Sequence, residues 1–273
     1  MTDALHTTGI AHVGHDHGTQ LAWEMRGSGP TLLFLHGFTL DQRMWRPQVE
    51  ALAPHFRVVT YDARGFGRSA LPGPEVFHQA DDAAALCEHL GLAPVIAVGH
   101  SIGAHQMLEL ALTRPDLVSG FASVAMSGLA SVPFSADLRT LFGALSVTAR
   151  AEGVAAAKAL WAQAGWFATA RERPEIAAQL DEMLADYSGW HWLNESRSRS
   201  VEPAAATRLG ELKVPALVIT GGRDLPYNQR IGEVLAAGLP NARTLTLPQA
   251  GHMPNLEDPT AVNEALSELA ARC

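Results

Sequence analysis

A serine lies between two glycines at a point where the sequence changes from strand-like to helix-like. The stretch Gly99-His100-Ser101-Ile102-Gly103 follows the apolar run "PVIAV" and precedes "AHQMLELAL", a helical pattern that stops before Pro115. At such a sharp strand-to-helix turn the serine backbone is strained, and small flanking residues let strand and helix approach closely. The turn pushes the hydroxyl out above the sheet, so Ser101 is predicted to be a nucleophile.

A nucleophilic serine requires a base to take its proton and an acid to orient that base. Asp224 follows the strand-like run "ALVITG", and His252 follows "ARTLTL". Loops at the carboxyl ends of parallel strands share one edge of the sheet, and Ser101 emerges at that same edge. The segment after "SVAM" offers no competing carboxylate. We therefore predict a catalytic triad of Ser101, Asp224 and His252.

The reaction also needs donors for the negative charge that develops on the substrate carbonyl oxygen. Ile102 opens a predicted helix, so its N–H is free at the helix N-terminus. Gly37 in "FLHGFTL" permits a tight turn after another strand. This turn is expected to place the N–H of Phe38 across the site from that of Ile102, and the two amides are the predicted oxyanion hole.

Other residues with suitable chemistry have simpler interpretations. His100 is expected to pack or to form a local hydrogen bond, and His105 to be a buried helix residue. Asp62 is expected to organise the loop "YDARGFGRS". The histidines of "HVGHDH" are assigned to an N-terminal hairpin turn, since no matching Cys/His/Asp cluster accompanies them. No metal site is predicted.

Short apolar runs alternate with longer helical patterns along the chain, which predicts an α/β fold with a mostly parallel sheet and helices on both faces. Predicted strands begin at seven positions: Gln20, Thr31, Phe56, Pro94, Val118, Ala216 and Ala242. Predicted helices cover 44–52, 81–90, 102–114, 228–237 and 261–271.

The alternation is interrupted between about residues 127 and 208, where Ala-rich helical sequence takes over. We interpret 127–208 as a helical cap and residues 1–126 with 209–273 as the core. The cap aromatics Trp190 and Trp192, together with Met253, are expected to line a substrate pocket. The cap also carries four arginines that could bind a substrate carboxylate, although such residues are more often solvated: Arg171, Arg173, Arg197 and Arg199.

Charge and composition limit the classes of partner that this protein is expected to bind. The net charge is −8, from 20 Lys+Arg against 28 Asp+Glu, and no basic run is present to neutralise phosphates, so nucleic acid is not expected. The apolar runs are too short to span a bilayer, and the first residues do not resemble a signal peptide. Two cysteines without motif spacing favour a reducing, cytoplasmic setting. The expected partner is therefore a small molecule.

The quoted motifs resemble the α/β-hydrolase superfamily over nearly the whole chain, since "LHGF", "YDARGFGRS", "GHSIG", "PALVITGGRD" and "AGHMPNLEDP" occur in the expected order. The stretch from "DQRMW" to "GFGRS" is similar to the group of 3-oxoadipate enol-lactonases and small carboxylesterases. This resemblance implies an eight-stranded sheet, a helical lid between the sixth and seventh main strands, the triad and oxyanion hole named above, and no cofactor.

The expected function is hydrolysis of a carboxylic ester or lactone with a small to medium, largely apolar body. Meta-cleavage C–C hydrolases resemble this chain but have asparagine at the position of His100 and tryptophan at that of Met253. Cofactor-free haloperoxidases usually read G-F-S-M-G rather than "GHSIG". Both remain alternatives, as does a non-catalytic binder on a hydrolase scaffold. Dehalogenases and epoxide hydrolases have aspartate at the position of Ser101 and are disfavoured.

Overall fold

The computed structural model describes residues 6–14 and 18–273, and eight strands of this part of the chain form a single sheet. The strands are β1 (His6–Val13), β2 (Thr19–Arg26), β3 (Thr31–Leu35), β4 (Arg57–Tyr61), β5 (Val95–His100), β6 (Val118–Val124), β7 (Ala216–Gly221) and β8 (Ala242–Leu247). Their order across the sheet is β1-β2-β4-β3-β5-β6-β7-β8. Neighbours are parallel from β4 to β8, whereas β1–β2 and β2–β4 are antiparallel. The predicted α/β class and mostly parallel sheet are confirmed.

The central strands are apolar along their whole length because helices cover both faces of the sheet. Every residue of β3 and β5 is buried, and Leu32 and Leu33 are fully so. The helices are α1 (Arg46–Leu52), α2 (Gln79–Leu90), α3 (Ile102–Thr113), α4 (Ala136–Ala151), α5 (Val154–Trp161), α6 (Pro174–Asp186), α7 (Trp190–Leu193), α8 (Pro226–Gly238), α9 (Pro254–Glu257) and α10 (Pro259–Ala270). All five predicted helices occur, with ends shifted by a few residues.

The first strand was not predicted from the sequence. β1 pairs with β2 as an antiparallel hairpin in which His12 lies opposite Gln20. Five of the eight residues of β1 are exposed at the edge of the sheet, so its sequence lacks the continuous apolar run that marks the central strands. His15 and His17 lie outside the described residues. Among the residues that are described, no group of three or more His, Cys, Asp or Glu side chains is placed to hold a metal ion.

Four helices, α4 to α7, lie between β6 and β7, and no strand of the sheet falls between these two in the described chain. Two side-chain contacts tie this helical segment to the turns after β3: Trp161 donates to Thr39 Oγ1 at 2.7 Å, and Arg43 pairs with Asp186 at 2.7 Å. That residues 127–208 form a separate helical cap stays a proposal. Within residues 6–14 and 18–273, no helix combines the length and apolarity needed to cross a membrane.

Candidate active site

Ser101 occupies the turn between β5 and α3 in a conformation that few side-chain-bearing residues adopt. Its φ is 55° and its ψ is −121°, so the backbone is strained at this residue. The flanking glycines are required by close packing. A Cβ at Gly99 would lie 2.4 Å from the Cα of Ala104, and one at Gly103 would lie 2.4 Å from the carbonyl oxygen of His36. The sequence G-x-S-x-G therefore folds as a sharp elbow that presents the serine at the edge of the sheet.

His252 and Asp224 meet Ser101 from loops that follow β8 and β7. The Nδ1 atom of His252 lies 2.8 Å from Asp224 Oδ2, and its Nε2 atom lies 3.0 Å from Ser101 Oγ. An ionised carboxylate only accepts, so Nδ1 carries the proton and Nε2 is left as the atom that can accept the serine proton. All three residues are buried, with exposed fractions of 7% for Ser101, 8% for Asp224 and 4% for His252. This geometry allows proton transfer from the hydroxyl to an oriented imidazole.

The loop that carries His252 is held by a buried carboxylate. Glu257 accepts hydrogen bonds from the backbone N–H groups of Gly251 at 2.8 Å and Met253 at 3.0 Å. Burial raises the pKa of Glu257, and the two amide donors act in the opposite direction. The guanidinium of Arg173 donates to the backbone carbonyl of Glu257. Both neighbours of His252 are thereby fixed relative to α9.

The chain after β3 passes directly over the serine. A Cβ at Gly37 would lie 2.5 Å from His100 Nδ1 and 3.2 Å from Ser101 Cβ, so only glycine fits there. The next residue is Phe38, whose amide makes no hydrogen bond to any described residue. Ile102 is the first residue of α3, so its amide has no partner within the helix. Phe38 and Ile102 both line the cavity that contains Ser101, and their amides stay the predicted oxyanion hole.

His100, His105 and Asp62, the other residues considered for chemistry, are all buried. His100 Nε2 donates to the carbonyl oxygen of His252 at 2.7 Å, and burial together with the nearby His252 holds the pKa of His100 well below its usual range. Burial lowers the pKa of His105 to about 4. The Asp62 carboxylate accepts from the amides of Gln42 at 2.8 Å and Arg68 at 2.9 Å, and so organises its loop.

A cavity of about 210 Å³ opens above Ser101 and His252. Most of its lining is aromatic or aliphatic: Phe38, Leu40, Ile102, Phe134, Phe142, Trp161, Trp166, Phe167 and Met253. The polar lining consists of His100, Ser101, Ser127 and His252, together with the backbone of Gly128. No Lys, Arg, Asp or Glu lines this cavity within the described chain. It suits an uncharged, apolar ligand.

Two of the three predicted pocket residues lie elsewhere. Met253 lines the cavity, but Trp190 and Trp192 do not. Trp192 is buried and packs against Tyr187, with ring centroids 5.0 Å apart, whereas Trp190 is half-buried and its ring contacts His191. The pocket aromatics come instead from earlier in the helical segment. Aromatic content at helical spacing gives no sign of which ring faces the core and which the cavity, so this could not be read from the sequence.

The four arginines of the helical segment also lie outside the cavity. Arg171 pairs with Asp181 at 2.6 Å, and Arg173 is engaged by the carbonyl of Glu257. Arg199 donates to the carbonyls of Ser196 and Ser198, and Arg197 is exposed. In this structure none of them is placed to bind a carboxylate next to Ser101.

Sequence reasoning missed two polar contributors to the site, Ser127 and Asn228. Ser127 Oγ lies 3.1 Å from Ser101 Oγ and accepts from Asn228 Nδ2 at 2.6 Å. Ser127 follows β6, at the same sheet edge as the other site residues, and its position after a predicted strand could have drawn attention to it.

Comparison with known proteins agrees with this architecture. A model of the alpha/beta hydrolase family matches residues 32–265. A provisionally named non-heme bromoperoxidase, BpoC, of Mycobacterium tuberculosis is 30% identical over 260 residues, which cover 92% of this chain and 97% of the relative. The structure of a thermophilic esterase from Thermogutta terrifontis is 28% identical with a TM-score of 0.80, covering 96% of this chain and 97% of that chain. The enol-lactonase from Burkholderia xenovorans LB400 is 26% identical with a TM-score of 0.78, covering 96% and 100%.

Proposed function

Because the chain belongs to the alpha/beta hydrolase family, we propose that it is a serine hydrolase that cleaves a carboxylic ester or lactone. The observation that carries the proposal is the continuous hydrogen-bonded series Ser101–His252–Asp224, with contacts of 3.0 and 2.8 Å in a buried site. The similarity to an esterase and an enol-lactonase supports the same reaction class.

In the proposed reaction the Ser101 oxygen attacks the substrate carbonyl carbon and His252 Nε2 takes the hydroxyl proton. The carbonyl π electrons move onto oxygen, where the amides of Phe38 and Ile102 donate to the negative charge. Collapse of this intermediate restores the carbonyl and breaks the bond to the alkoxide, which takes the proton from His252. Water, deprotonated by His252, then attacks the acyl carbon; the bond to Ser101 Oγ breaks, Ser101 takes the proton back from His252, and the acid is released. Asp224 stabilises the imidazolium in both steps.

The cavity supports a substrate that is uncharged and apolar around its carbonyl. A volume of about 210 Å³ suits a short acyl group with a small aryl or alkyl alcohol, or a compact lactone. The aromatic lining stabilises such a group through burial of apolar area, at ~25 cal/mol per Å². Met253 contributes a flexible surface beside His252, which helps the cavity fit different groups.

The decisive experiment combines labelling with turnover. Wild-type protein should hydrolyse p-nitrophenyl acetate and should gain the mass of a serine-directed phosphonate on the peptide that contains Ser101. Ser101→Ala should fold with an unchanged thermal midpoint, lose nearly all hydrolysis and remain unlabelled. Labelling of another serine, or full activity of Ser101→Ala, would contradict the proposal. If the wild-type protein neither reacted with the phosphonate nor hydrolysed the ester, the result would indicate a binder rather than an enzyme.

A further inference from the structure

Ser127 lies next to the proposed nucleophile although it is no part of the triad. It follows β6, is 8% exposed and lines the cavity. Its Oγ lies 3.1 Å from Ser101 Oγ, nearly as close as His252 Nε2 at 3.0 Å. The serine oxygen therefore has two hydrogen-bonding neighbours rather than one.

The orientation of the Ser127 hydroxyl is set by Asn228 at the start of α8. The amide nitrogen of Asn228 donates to Ser127 Oγ at 2.6 Å and to the carbonyl oxygen of Met126 at 2.9 Å. Its amide oxygen accepts from the indole N–H of Trp166 at 2.8 Å. Because an indole only donates and a carbonyl only accepts, the two ends of the Asn228 amide cannot exchange. Ser127 Oγ is thereby fixed as an acceptor of the Asn228 N–H.

The single hydroxyl proton of Ser101 has two neighbouring acceptors. In the resting geometry Ser101 is oriented to donate to Ser127 Oγ, yet it must donate to His252 Nε2 for its proton to be removed. One hydroxyl proton cannot serve both acceptors fully. Ser127 keeps its own proton. Because Asn228 Nδ2 donates to Ser127 Oγ, Ser101 Oγ is the one hydrogen-bonding neighbour in the described chain that can accept the Ser127 proton. A hydroxyl rotates freely about its C–O bond, so the donor direction between the two serines can reverse without movement of heavy atoms.

We propose that Ser127 is a further catalytic residue, which donates a hydrogen bond to Ser101 Oγ while the Ser101 proton moves to His252. The inference depends on the proposed function, since it takes Ser101 as the nucleophile. At rest Ser127 accepts from a neutral hydroxyl, whereas during attack it donates to an oxygen that carries negative charge. Hydrogen bonds to charged groups are the stronger ones, so the contact stabilises the transition state more than the resting state. No proton is transferred to or from Ser127.

The test measures attack by Ser101 separately from later steps. The second-order rate constant for phosphonylation reports bond formation at Ser101, and mass spectrometry confirms in each variant that the labelled peptide contains Ser101. We expect Ser127→Ala to slow phosphonylation about 10- to 100-fold, as for loss of one hydrogen bond to a charged oxygen. The KM for a short ester should change less than threefold. Ser127→Thr keeps a hydroxyl and should restore at least a third of the wild-type rate constant.

Ser123→Ala is the matched control. Ser123 lies on the same strand, is 1% exposed, and its Oγ has no hydrogen-bond partner among the described residues. This variant should react at the wild-type rate, which separates the loss of a particular hydroxyl from the loss of a buried one. A rate constant for Ser127→Ala within twofold of wild type would overturn the inference, as would equal losses in Ser127→Ala and Ser127→Thr at unchanged thermal midpoints. Labelling of a serine other than Ser101 in the wild type would instead overturn the proposed function.

Discussion

Glu257 holds His252 without touching its side chain, because its carboxylate accepts from the backbone amides on both sides of that histidine. The imidazole must keep one nitrogen on Asp224 and the other on Ser101, so a small rotation of the loop would break one of the two contacts. We infer that Glu257 is a positioning residue for the proposed base.

Glu257→Gln tests this relationship. A glutamine has one acceptor oxygen, so one of the two amides should face the side-chain NH₂ and lose its hydrogen bond. We expect kcat for a short ester to fall about tenfold, equivalent to ~1.4 kcal/mol, with KM nearly unchanged. The same substitution at the exposed Glu264 on α10 is the control and should have no effect on either constant. A change in KM alone would argue against a role in positioning His252.

Asp224→Asn should change which imidazole nitrogen of His252 carries the proton and should leave the packing intact. An asparagine that offers its NH₂ group to His252 Nδ1 favours the proton on Nε2, the atom that must accept from Ser101. By analogy with a serine protease triad, kcat should fall by about 10⁴. Steady-state kinetics with p-nitrophenyl acetate would measure this. Near-wild-type kcat would mean that the orienting acid lies elsewhere, and Asp62 would be the next residue to test.

The elements that bring the triad together could be predicted because each depends on a local pattern. Continuous apolar runs mark strands buried on both faces, and the residues at their carboxyl ends converge at one edge for any parallel sheet. This rule, together with the G-x-S-x-G motif at the strand-to-helix turn, predicted Ser101, Asp224 and His252 as the triad. The glycines around Ser101 also have a local cause, since a Cβ at Gly99 would overlap the backbone of α3.

The cavity wall and the environment of the nucleophile depend on contacts that no local pattern records. Trp166 and Trp192 are both tryptophans of the helical segment, yet Trp166 lines the cavity and Trp192 is buried against Tyr187. Asn228 reaches Ser127 across 101 positions of sequence. Such contacts follow from the packing of the helical segment onto the sheet, which the spacing of apolar residues leaves undetermined. The edge strand β1 was missed for a different reason: most of its residues are exposed, so its sequence lacks a continuous apolar run.

Phe142 on α4 is the clearest position at which to test the cavity wall, because its ring lines the cavity and forms no hydrogen bond. Phe142→Ala should remove roughly 40 Å² of apolar contact for a bulky acyl group, or ~1 kcal/mol at ~25 cal/mol per Å². The KM for a p-nitrophenyl hexanoate should therefore rise about fivefold, and that for the acetate much less. Trp190→Ala, outside the cavity, is the control and should leave both unchanged. Equal increases for the two esters would indicate that Phe142 only supports the fold.

Buried His105 gives the fold a pH dependence of known sign. Burial lowers its pKa to about 4, whereas the unfolded chain has an ordinary value of about 6.5. Between these values the unfolded state binds a proton that the folded state does not, so stability present above pH ~6.5 is lost as the pH falls toward ~4. At pH 5 the loss from this residue should be ~2 kcal/mol. The neighbouring Glu109, with Oε1 3.6 Å from His105 Nε2, is retained in every variant compared.

Urea unfolding at pH 7 and pH 5 would measure this effect. His105→Gln should reduce the difference in unfolding free energy between the two pH values by ~2 kcal/mol. His89→Gln, at an exposed position on α2, should leave the wild-type difference intact. If all three proteins lost the same free energy between pH 7 and pH 5, the pH dependence would have to come from other groups.

The last prediction separates ester hydrolysis from C–C cleavage. A meta-cleavage dienone is a conjugated acid that carries a carboxylate and must be ketonised before its carbon–carbon bond breaks, so its enzyme needs charged and polar groups around the substrate. Here no cationic side chain among the described residues lines the cavity above Ser101, and Arg173 is engaged with the carbonyl of Glu257. A carboxylate that entered this aromatic cavity would lose its hydration without gaining a partner. We therefore expect kcat/KM for a short aryl ester or neutral lactone to exceed that for any such dienone by at least ~10²-fold, or ~2.7 kcal/mol in transition-state stabilisation. Purified enzyme assayed with both substrate classes would measure the ratio, and rapid bleaching of the yellow dienone with only trace esterase activity would reverse the assignment.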